Sequence, residues 1–279
     1  MLANKQTAGW QACLNLGFAL KGHKTVLAEN AHVGPLMVQK PFYPEDASCC
    51  HIYLIHPPGG IVGGDELTIN VNLDTRSHAL ITTPAANKFY RSDGRLAVQD
   101  QIFNVSEHAT LEWLPQETVY FNDALSQSKT KIILNETSKL FAWEVQCLGL
   151  PAQKELFNSG SCLQHFEVWQ KQQPLLLESN RFIGSDSQLS SPWGMNKQTS
   201  VGTFALTDRE TRIDRSQVLG LLKNFPDTVS ACTHVNGLFI IRALALYAEP
   251  IKDLFIKLWE VLRPIILDLP PCPPRIWQT

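Results

Sequence analysis

A glycine-rich loop in the first quarter of the chain begins with an imidazole and ends with a carboxylate. It runs His56-Pro-Pro-Gly-Gly-Ile-Val-Gly-Gly-Asp65. Phosphate-binding loops place Gly-Lys-Ser/Thr before a helix, whereas this loop has no lysine and leads into an alternating, strand-like segment at residues 67–73. The sequence therefore argues against a nucleotide site. We expect the glycines to bring the backbone close to another segment, with His56 and Asp65 pointing into that contact. A plain corner between two strands is the structural alternative.

Two polar segments downstream, one repeat apart, offer further charged groups. The first contributes two cations and a phenol and the second two carboxylates: Lys88, Tyr90, Arg91, Glu117 and Asp123. In a strand, Lys88 and Tyr90 share one face. If the repeats stack, the two segments come from neighbouring layers and line one channel or groove. The structural alternative is an ion pair, because a buried carboxylate needs a partner that Lys88 or Arg91 can supply.

The cysteines and histidines are not spaced as a closed metal site. Zinc sites pair ligand clusters separated by two to four residues, and the sequence has no second Cys/His cluster to complete Cys49, Cys50, His51 and His56. We therefore predict no tightly bound metal or cofactor. A weak, transient site of His56, Asp65 and nearby carboxylates stays open. Imidazole and carboxylate suit a borderline divalent ion such as nickel.

Enzyme motifs are sparse. The chain has no Gly-x-Ser-x-Gly elbow, and no serine or cysteine lies in a recognisable nucleophile motif. Glycoside hydrolysis requires only two suitably spaced carboxylates, and Asp65, Glu117 and Asp123 could converge. A carbohydrate-active β-helix enzyme using such a pair is therefore an alternative hypothesis.

Three similar units recur about every 30 residues in the middle of the chain. In each, an alternating strand (67–73, 101–105 or 131–134) is followed by a short polar turn and a second strand, which together occupy residues 75–84, 106–115 and 135–144. One unit cannot bury both of its faces, so we predict a mainly β fold with stacked, β-helix-like (solenoid-like) sheets that share apolar faces. A plain β-sandwich is the alternative.

Helices are predicted only near the C-terminal end. Asp214 precedes one apolar stripe as an N-cap, and Pro250 opens another at the first helical position. The proline-rich tail is expected to dock as an extended segment, because Trp277 would be costly to leave in water. The predicted organisation is a single domain, 1–279, with a β-stack at about 8–210, helices at about 214–225 and 250–267, and an extended tail at 268–279.

Composition limits the classes of partner. The formal net charge is -2, with 18% charged and 44% hydrophobic residues, which gives no general attraction to nucleic acid or to an anionic membrane. The longest apolar stretches are interrupted by charges, so no membrane span is predicted. The seven cysteines have no CxxC spacing and no signal peptide is recognisable. Reduced thiols in a cytoplasmic protein are the natural expectation.

Several unusual segments together resemble the UreD (also called UreH) urease accessory proteins. The likeness runs in order from about Trp10 to the last residues and includes the loop His56–Asp65. The other segments that carry it are Gly34-Pro35-Leu36, Tyr43-Pro44-Glu45, 82–92, 111–118 and 274–277. One departure is visible: where the family typically has Leu-Gly-Arg-Pro and then Gly-Glu, this chain has Leu150 and Lys154 in place of the Arg and the Gly, which puts any local role there in doubt.

The resemblance implies a non-enzymatic urease maturation factor. Such proteins bind apo-urease, assemble with a UreF-type partner and through it with a UreG-type GTPase, and are thought to pass nickel through an internal tunnel to the nascent active site. GTP hydrolysis then belongs to the partner. The expected conduit residues are His56, Asp65, Glu117 and Asp123, and the expected tunnel or partner residues are Lys88, Tyr90, Arg91, Arg275 and Trp277. A pure protein-binding scaffold without a conduit is the remaining alternative.

Overall fold

Two β-sheets of unequal size face one another in the computed structural model, which describes residues 9–278. The seven-stranded sheet has the spatial order β14 (Gln173–Ile183), β13 (Ser161–Gln170), β11 (Leu125–Leu134), β8 (Ala97–Val105), β5 (Glu66–Leu73), β1 (Gln11–Lys21) and β2 (Lys24–Val33). The ten-stranded sheet has the order β16 (Val229–Val235), β17 (Leu238–Ala245), β15 (Ser200–Thr207), β12 (Lys139–Leu148), β9 (Thr110–Trp113), β6 (His78–Thr82), β4 (Cys49–Ile55) and β3 (Met37–Val38), with β10 (Thr118–Tyr120) pairing β12 and β7 (Asn87–Phe89) pairing β10.

The middle strands form a parallel stack of about four turns, which confirms the predicted solenoid-like fold. Each coil places one strand in each sheet, joined by a four-residue turn: 74–77, 106–109 or 135–138. Successive coils pair in parallel with a constant register, so that His78 is opposite Thr110 and Thr110 is opposite Lys139. The repeats detected in the sequence are these coils.

The two edges of the stack differ. The tight turns form one edge, and long loops at 56–65, 83–96, 114–124 and 149–160 form the other. The short strands β7 and β10 lie within these loops and pair in parallel, with Lys88 opposite Val119. The expectation that the two polar segments come from neighbouring layers is therefore confirmed.

The strands continue beyond the predicted limit at residue 210. After β14 turns back antiparallel to β13, strand β15 joins β12, and β17 and β16 extend the ten-stranded sheet. Strand β17 is an almost continuous apolar run, a composition that periodicity alone cannot distinguish from a buried helix.

Two apolar layers stabilise the molecule. The first lies between the sheets and includes Ile132, Leu134, Leu140 and Ala142. The second lies between the outer face of the ten-stranded sheet and the two helices, α1 (Arg215–Leu222) and α2 (Ala248–Leu267). Burial of this apolar surface supplies the main driving force for folding.

The helices begin close to their predicted positions. Asp214 is the N-cap of α1, and its Oδ1 accepts a 2.8 Å hydrogen bond from Ser216 N. Helix α2 starts two residues earlier than predicted, after Tyr247, so Pro250 lies in the first turn but not at its first position. Within residues 9–278 no helix has both the length and the apolar character needed to cross a membrane.

The C-terminal tail docks, but it is not extended throughout. Its last residues, Arg275–Gln278, form a short 3-10 helix. Trp277 Nε1 donates to Thr82 Oγ1 at 3.0 Å, and its ring packs against Trp143 and Trp259 with centroids 5.5 and 5.6 Å away. Trp277 thus closes the layer between α2 and the sheet, whereas Arg275 is exposed.

Candidate functional site

The space between the sheets changes from apolar to polar along the strands. On the inner face of β12, Leu140 and Ala142 are followed by Glu144 and Gln146. This follows from the two-residue period of a strand, which puts all four side chains on one face. Strand β11 changes in the same way, from Leu134 and Ile132 near the tight turns to Thr130 and Ser128 near the long loops. The interior half nearer the long loops is therefore polar.

A cavity of about 360 Å³ lies in this polar half and is large enough for several water molecules. Apolar side chains, among them Leu54, Ile69 and Trp113, form much of its wall. Its polar and charged lining residues are His56, Thr83, Asn87, Lys88, Gln99, Gln101, Gln116, Thr118 and Glu144. The cavity therefore combines amide oxygens, hydroxyls, an imidazole and a carboxylate around one volume.

A row of hydrogen-bonded polar side chains leads from the cavity wall across the stack. Asn87 Nδ2 donates to Gln99 Oε1 at 2.8 Å. Two residues further along β8 and on the same face, Gln101 Nε2 donates to Thr130 Oγ1 at 2.9 Å, and Thr130 Oγ1 donates in turn to Glu144 Oε1. The row thus crosses three neighbouring coils, with Gln99 and Gln101 adjacent on one strand face.

The row of hydrogen-bonded side chains continues to the far end of the stack. Gln164 Nε2 donates to Glu144 Oε2 at 2.6 Å, while Gln164 Oε1 accepts from Asn180 Nδ2 at 2.9 Å. Asn180 also reaches Glu178, and Glu178 Oε2 is 3.0 Å from Arg242 Nε. The Arg242 side chain is 48% exposed. We call the residues from Asn87 to Arg242 in this series the polar strip: Asn87, Gln99, Gln101, Thr130, Glu144, Gln164, Asn180, Glu178 and Arg242.

Glu144 is the central acid of the polar strip. It lies deep between the sheets, and the surface it retains faces the cavity. Burial raises the pKa of its carboxyl group to about 7, and the nearby charge of Glu178 adds to the increase, whereas the hydrogen bonds from Thr130 and Gln164 oppose it. Glu144 can therefore exchange a proton near neutral pH, so that protons compete with a cation for its carboxylate.

Two of the predicted residues line the cavity, namely His56 and Lys88. Burial lowers the pKa of His56, and the charge of Asp65 partly offsets that effect. A neutral imidazole can act as a ligand, so His56 fits the role that the sequence suggested.

Asp65 has a different setting from the one expected. Its carboxylate is buried and accepts hydrogen bonds from Trp10 N at 2.8 Å and Val62 N at 3.0 Å. It is not among the residues that line the cavity. Asp65 therefore fixes the path of the glycine-rich loop, which is the structural alternative considered for this segment.

Glu117 and Asp123 also lie outside the cavity wall, in ion pairs. Asp123 pairs with the exposed Arg91 at 3.0 Å, as the structural alternative anticipated. Glu117 pairs with Lys252 of α2 at 2.8 Å and not with Lys88. The expected single channel lined by all the charged candidates is therefore not formed.

The position of the Tyr90 ring explains why residue 60 of the glycine-rich loop is a glycine. A Cβ on Gly60 would lie 2.3 Å from Tyr90 Cε2, so only glycine fits there. The Tyr90 ring also packs against Phe121, with ring centroids 4.8 Å apart. Tyr90 thus joins two of the long loops next to the cavity.

A second buried cluster lies on the outer face of the ten-stranded sheet. Ligand-type atoms of Glu45, Cys49 and His51, and of Cys49, His78 and Glu112, lie within 4.8 Å of one another. Sequence spacing reveals only the segment that holds Glu45, Cys49 and His51, because His78 and Glu112 come from other strands. The cation within it is Arg263, which donates to both Glu45 and Glu112. The cluster is thus an ion-pair network that fastens α2 to the sheet.

Sequence reasoning missed Glu144, Glu178 and Arg242. The indication available for Glu144 was an acid at an inward-facing position of an alternating strand, at the end of the third repeat. Glu178 and Arg242 are separated by 64 positions in the sequence. No local sequence pattern predicts a contact between residues so far apart.

Comparison with known proteins gives a consistent result. A family model described as "UreD urease accessory protein" matches residues 11–278. The chain is 44% identical to a protein of Enterobacter sp. (strain 638) over 99% of this chain and 98% of that protein, and 42% identical to one of Citrobacter koseri over 98% and 93%. A protein of Alkalilimnicola ehrlichii is 39% identical over 97% and 92%. All three bear the name "Urease accessory protein UreD".

Proposed function

Because the chain belongs to the UreD family of urease accessory proteins, with a role in urease maturation, we propose that it conducts nickel to the urease active site through the polar strip. In this proposal it acts in the cytoplasm as a non-enzymatic scaffold. It binds apo-urease together with a UreF-type protein and, through that protein, a UreG-type GTPase. Nickel is transient cargo and not a resident cofactor.

The observation that carries the proposal is the row of polar side chains through the interior, in which Gln99 and Gln101 follow one another on one face of β8 and the other neighbours are joined by hydrogen bonds. Burying polar groups between two sheets costs free energy unless each is hydrogen-bonded, and apolar side chains of similar size would often be more stabilising. The chain keeps glutamine, threonine, asparagine and glutamate side chains in a row from Asn87 to Arg242. Such a row is consistent with passage of a hydrophilic solute.

The donor chemistry suits an ion that must leave again. The polar strip and cavity offer amide oxygens, hydroxyls, two carboxylates and the imidazole of His56. These groups bind a borderline divalent ion weakly when they are far apart, whereas clustered thiolates would hold it. Cys162 lies in the same inter-sheet layer, but burial raises the pKa of its thiol to about 12. The free thiol therefore stays protonated at neutral pH, and an ion must displace that proton before the sulfur can bind it.

The proposal assigns different roles to the predicted candidates. His56 is the ligand at the cavity, and Lys88 is a charged residue of its wall. Asp65 holds the loop in place, and Glu117 and Asp123 fix α2 and the long loops through their ion pairs. Glu144 and Glu178 take the place of these three carboxylates as conduit acids.

A glycosidase is not favoured. Its carboxylate pair would have to reach one sugar from opposite sides, whereas Asp65 is occupied by backbone N–H groups and Glu117 by Lys252. The pure scaffold is the alternative that needs an experiment.

The test is urease maturation by a Glu144→Gln variant. Co-expression with urease and the other accessory proteins, followed by measurement of complex formation and of nickel per urease active site, distinguishes conduit from scaffold. Complexes that form normally but leave urease poor in nickel support the conduit. Normal nickel content in urease would contradict it. The matched control is Glu136→Gln, a change in an exposed ion pair with Lys171 near a tight turn. Gln101→Leu provides a second block at a neighbouring position of the polar strip.

A further inference from the structure

The ten-stranded sheet extends past the edge of the seven-stranded sheet. Strand β14 ends the smaller sheet and faces β17, whose Leu238 and Ile240 are buried between the sheets, and β16 continues the larger sheet beyond it. Cross-strand partners lie on the same face of a sheet. The inward-facing residues of β17 are Leu238, Ile240, Arg242 and Leu244, and each has a partner on β16. We call these β16 partners the overhang: Val229, Ala231, Thr233 and Val235.

The overhang has the orientation of a core surface but is not covered. All four of its side chains are exposed, Val229 by 61% and Val235 by 41%. On the opposite face of the same strand, Cys232 is buried in the layer that contains Val218 of α1. The two valines thus leave apolar surface in water on the face that continues the finished core, where another protein can cover it.

Arg242 connects the overhang to the polar strip. It is paired across the strands with Ala231 of the overhang, and its guanidinium pairs with Glu178 through Nε at 3.0 Å and Nη2 at 2.9 Å. Half of the Arg242 side chain is in water, whereas Glu178 is 13% exposed. The arginine therefore lies at the boundary between the interior and this surface.

Glu178 is fully engaged while Arg242 is in place. Its Oε2 accepts from the guanidinium, and its Oε1 accepts from Thr203 Oγ1 at 2.6 Å and Asn180 Nδ2 at 3.3 Å. A cation that arrives along the polar strip meets both an occupied carboxylate and a like charge. As the structure stands, this end of the polar strip is closed to cations.

We propose that the overhang is the docking surface for a segment of a partner protein that carries apolar side chains and a carboxylate. The apolar side chains cover Val229 and Val235, and the carboxylate takes Arg242 away from Glu178. The released Glu178 is then free to bind the ion, so docking opens this end of the polar strip. The opening step rests on the proposed conduit, whereas the docking surface does not.

The energetics allow such an exchange. Arg242 exchanges one partly exposed ion pair for another, and the cation that binds Glu178 replaces the guanidinium beside this mostly buried carboxylate. The apolar contact at the overhang then supplies the difference between the docked and the free state. The commitment to a carboxylate follows from charge complementarity, since Arg242 is the charge that faces this surface.

The first test places the carboxylate in the chain itself. In Ala231→Asp, the new side chain is directly opposite Arg242 and competes with Glu178 for it, so Ni²⁺ affinity of the isolated full-length protein should rise about tenfold, as expected for one added acidic ligand. Ala231→Asn, of the same size without the charge, should leave Ni²⁺ binding unchanged. Titration calorimetry measures both. Equal affinities for the two variants would overturn the release of Glu178.

Two further variants identify the ligand that is released. Arg242→Gln should raise Ni²⁺ affinity as Ala231→Asp does, and adding Glu178→Gln to either should cancel the gain. Arg181→Gln, at an exposed position on β14, is the matched control and should have no effect. A gain that survives Glu178→Gln would show that Arg242 does not act through Glu178.

The docking surface is tested separately with purified apo-urease and the purified UreF-type protein. Val229→Lys and Val235→Lys should each weaken capture of one of these two probes by at least tenfold. Normal capture of both would overturn the docking surface. Loss of self-association instead, seen by light scattering, would make a second copy of the chain the occupant and would also contradict the proposal.

The experiments distinguish an error in the proposed release of Glu178, which we call the switch, from an error in the proposed conduit. If Glu144→Gln leaves the nickel content of urease normal, the conduit is wrong, but the Ni²⁺ titrations of the isolated chain still decide the release of Glu178. If those titrations show no difference while Glu144→Gln starves urease of nickel, the conduit stands and the switch is wrong.

Discussion

Arg263 of α2 donates from both Nε and Nη2 to Glu112 of β9, at distances of 3.0 to 3.2 Å. Both side chains are fully buried. His78 and Trp259 complete the coordination of the same carboxylate, at 2.7 and 2.6 Å. The pair joins the long C-terminal helix to the outer face of the stack.

We expect Arg263→Met to unfold the protein at much lower denaturant concentration. The substitution leaves the buried Glu112 and the neighbouring Glu45 without their cation, which typically costs about 3–5 kcal/mol. Urea denaturation followed by circular dichroism measures the change in the free energy of unfolding. Lys171→Met, which removes an ion pair whose partners are each 62% exposed, is the control and should leave the midpoint unchanged. Equal effects would show that Glu112 does not depend on Arg263.

Acid should destabilise the protein through Glu112. The hydrogen bond and charge of His78 and the charge of Arg263 outweigh the effect of burial and lower the pKa of Glu112 to about 2, below its ordinary value of 4.5. A group whose folded pKa is lowered contributes stability above its unfolded pKa and loses it as the pH falls. The loss should amount to about 3 kcal/mol between about pH 5 and 2. Glu112→Gln, less stable at pH 7, should lack this part of the pH dependence.

Glu144 should have the opposite effect from Glu112 on the pH dependence of the free energy of unfolding. Its folded pKa of about 7 is above the ordinary value of 4.5, so its contribution is fully present below about pH 4.5 and is lost as the pH rises through 7. Since Glu144 lines the cavity and is only partly buried, we expect the loss to be about 2 kcal/mol. Relative to the wild type, Glu144→Gln should therefore gain stability between pH 5 and 8. A constant difference between the two proteins across this range would contradict the raised pKa.

Two glycine-to-alanine substitutions should change the stability of the protein in opposite directions. In Gly60→Ala the new Cβ meets Tyr90 at 2.3 Å and Lys88 O at 3.0 Å, so the glycine-rich loop must move and stability should fall by about 1–3 kcal/mol. Gly220→Ala in α1 meets nothing within 4 Å and should gain up to about 1 kcal/mol from helix propensity. Thermal melts of both variants are the measurement. Partial rescue of Gly60→Ala by Tyr90→Ala would locate the clash.

The stack could be predicted from the sequence because its rules are local. Alternation sets each strand, and the polar turns at 74–77, 106–109 and 135–138 recur at a constant spacing. The cap at Asp214 and the apolar Trp277 are equally local features. Strands β16 and β17 escaped detection because neither the short exposed edge nor the mostly buried apolar run has a clear alternation of buried and exposed residues.

The route through the interior could not be predicted, because it depends on which residues the register places together. Asp65 and Glu117 stood out by being next to glycines and prolines, but backbone N–H groups and Lys252 occupy them. Glu144 and Gln164 meet across the two sheets, and only the relative position of whole strands determines that contact. A strand gives the inward direction of a side chain, but not the identity of its neighbour.

The difference between the two edges of the stack has a consequence for how proteins of this architecture can diversify. The turns on one side are all four residues long and cannot change length without shifting a strand. Every coil therefore keeps its register with the next, and the inward-facing side chains stay aligned. Insertions and deletions are confined to the opposite side, where they reshape the mouth of the cavity and its surroundings. Recognition of new partners can thus evolve without disturbing the interior itself.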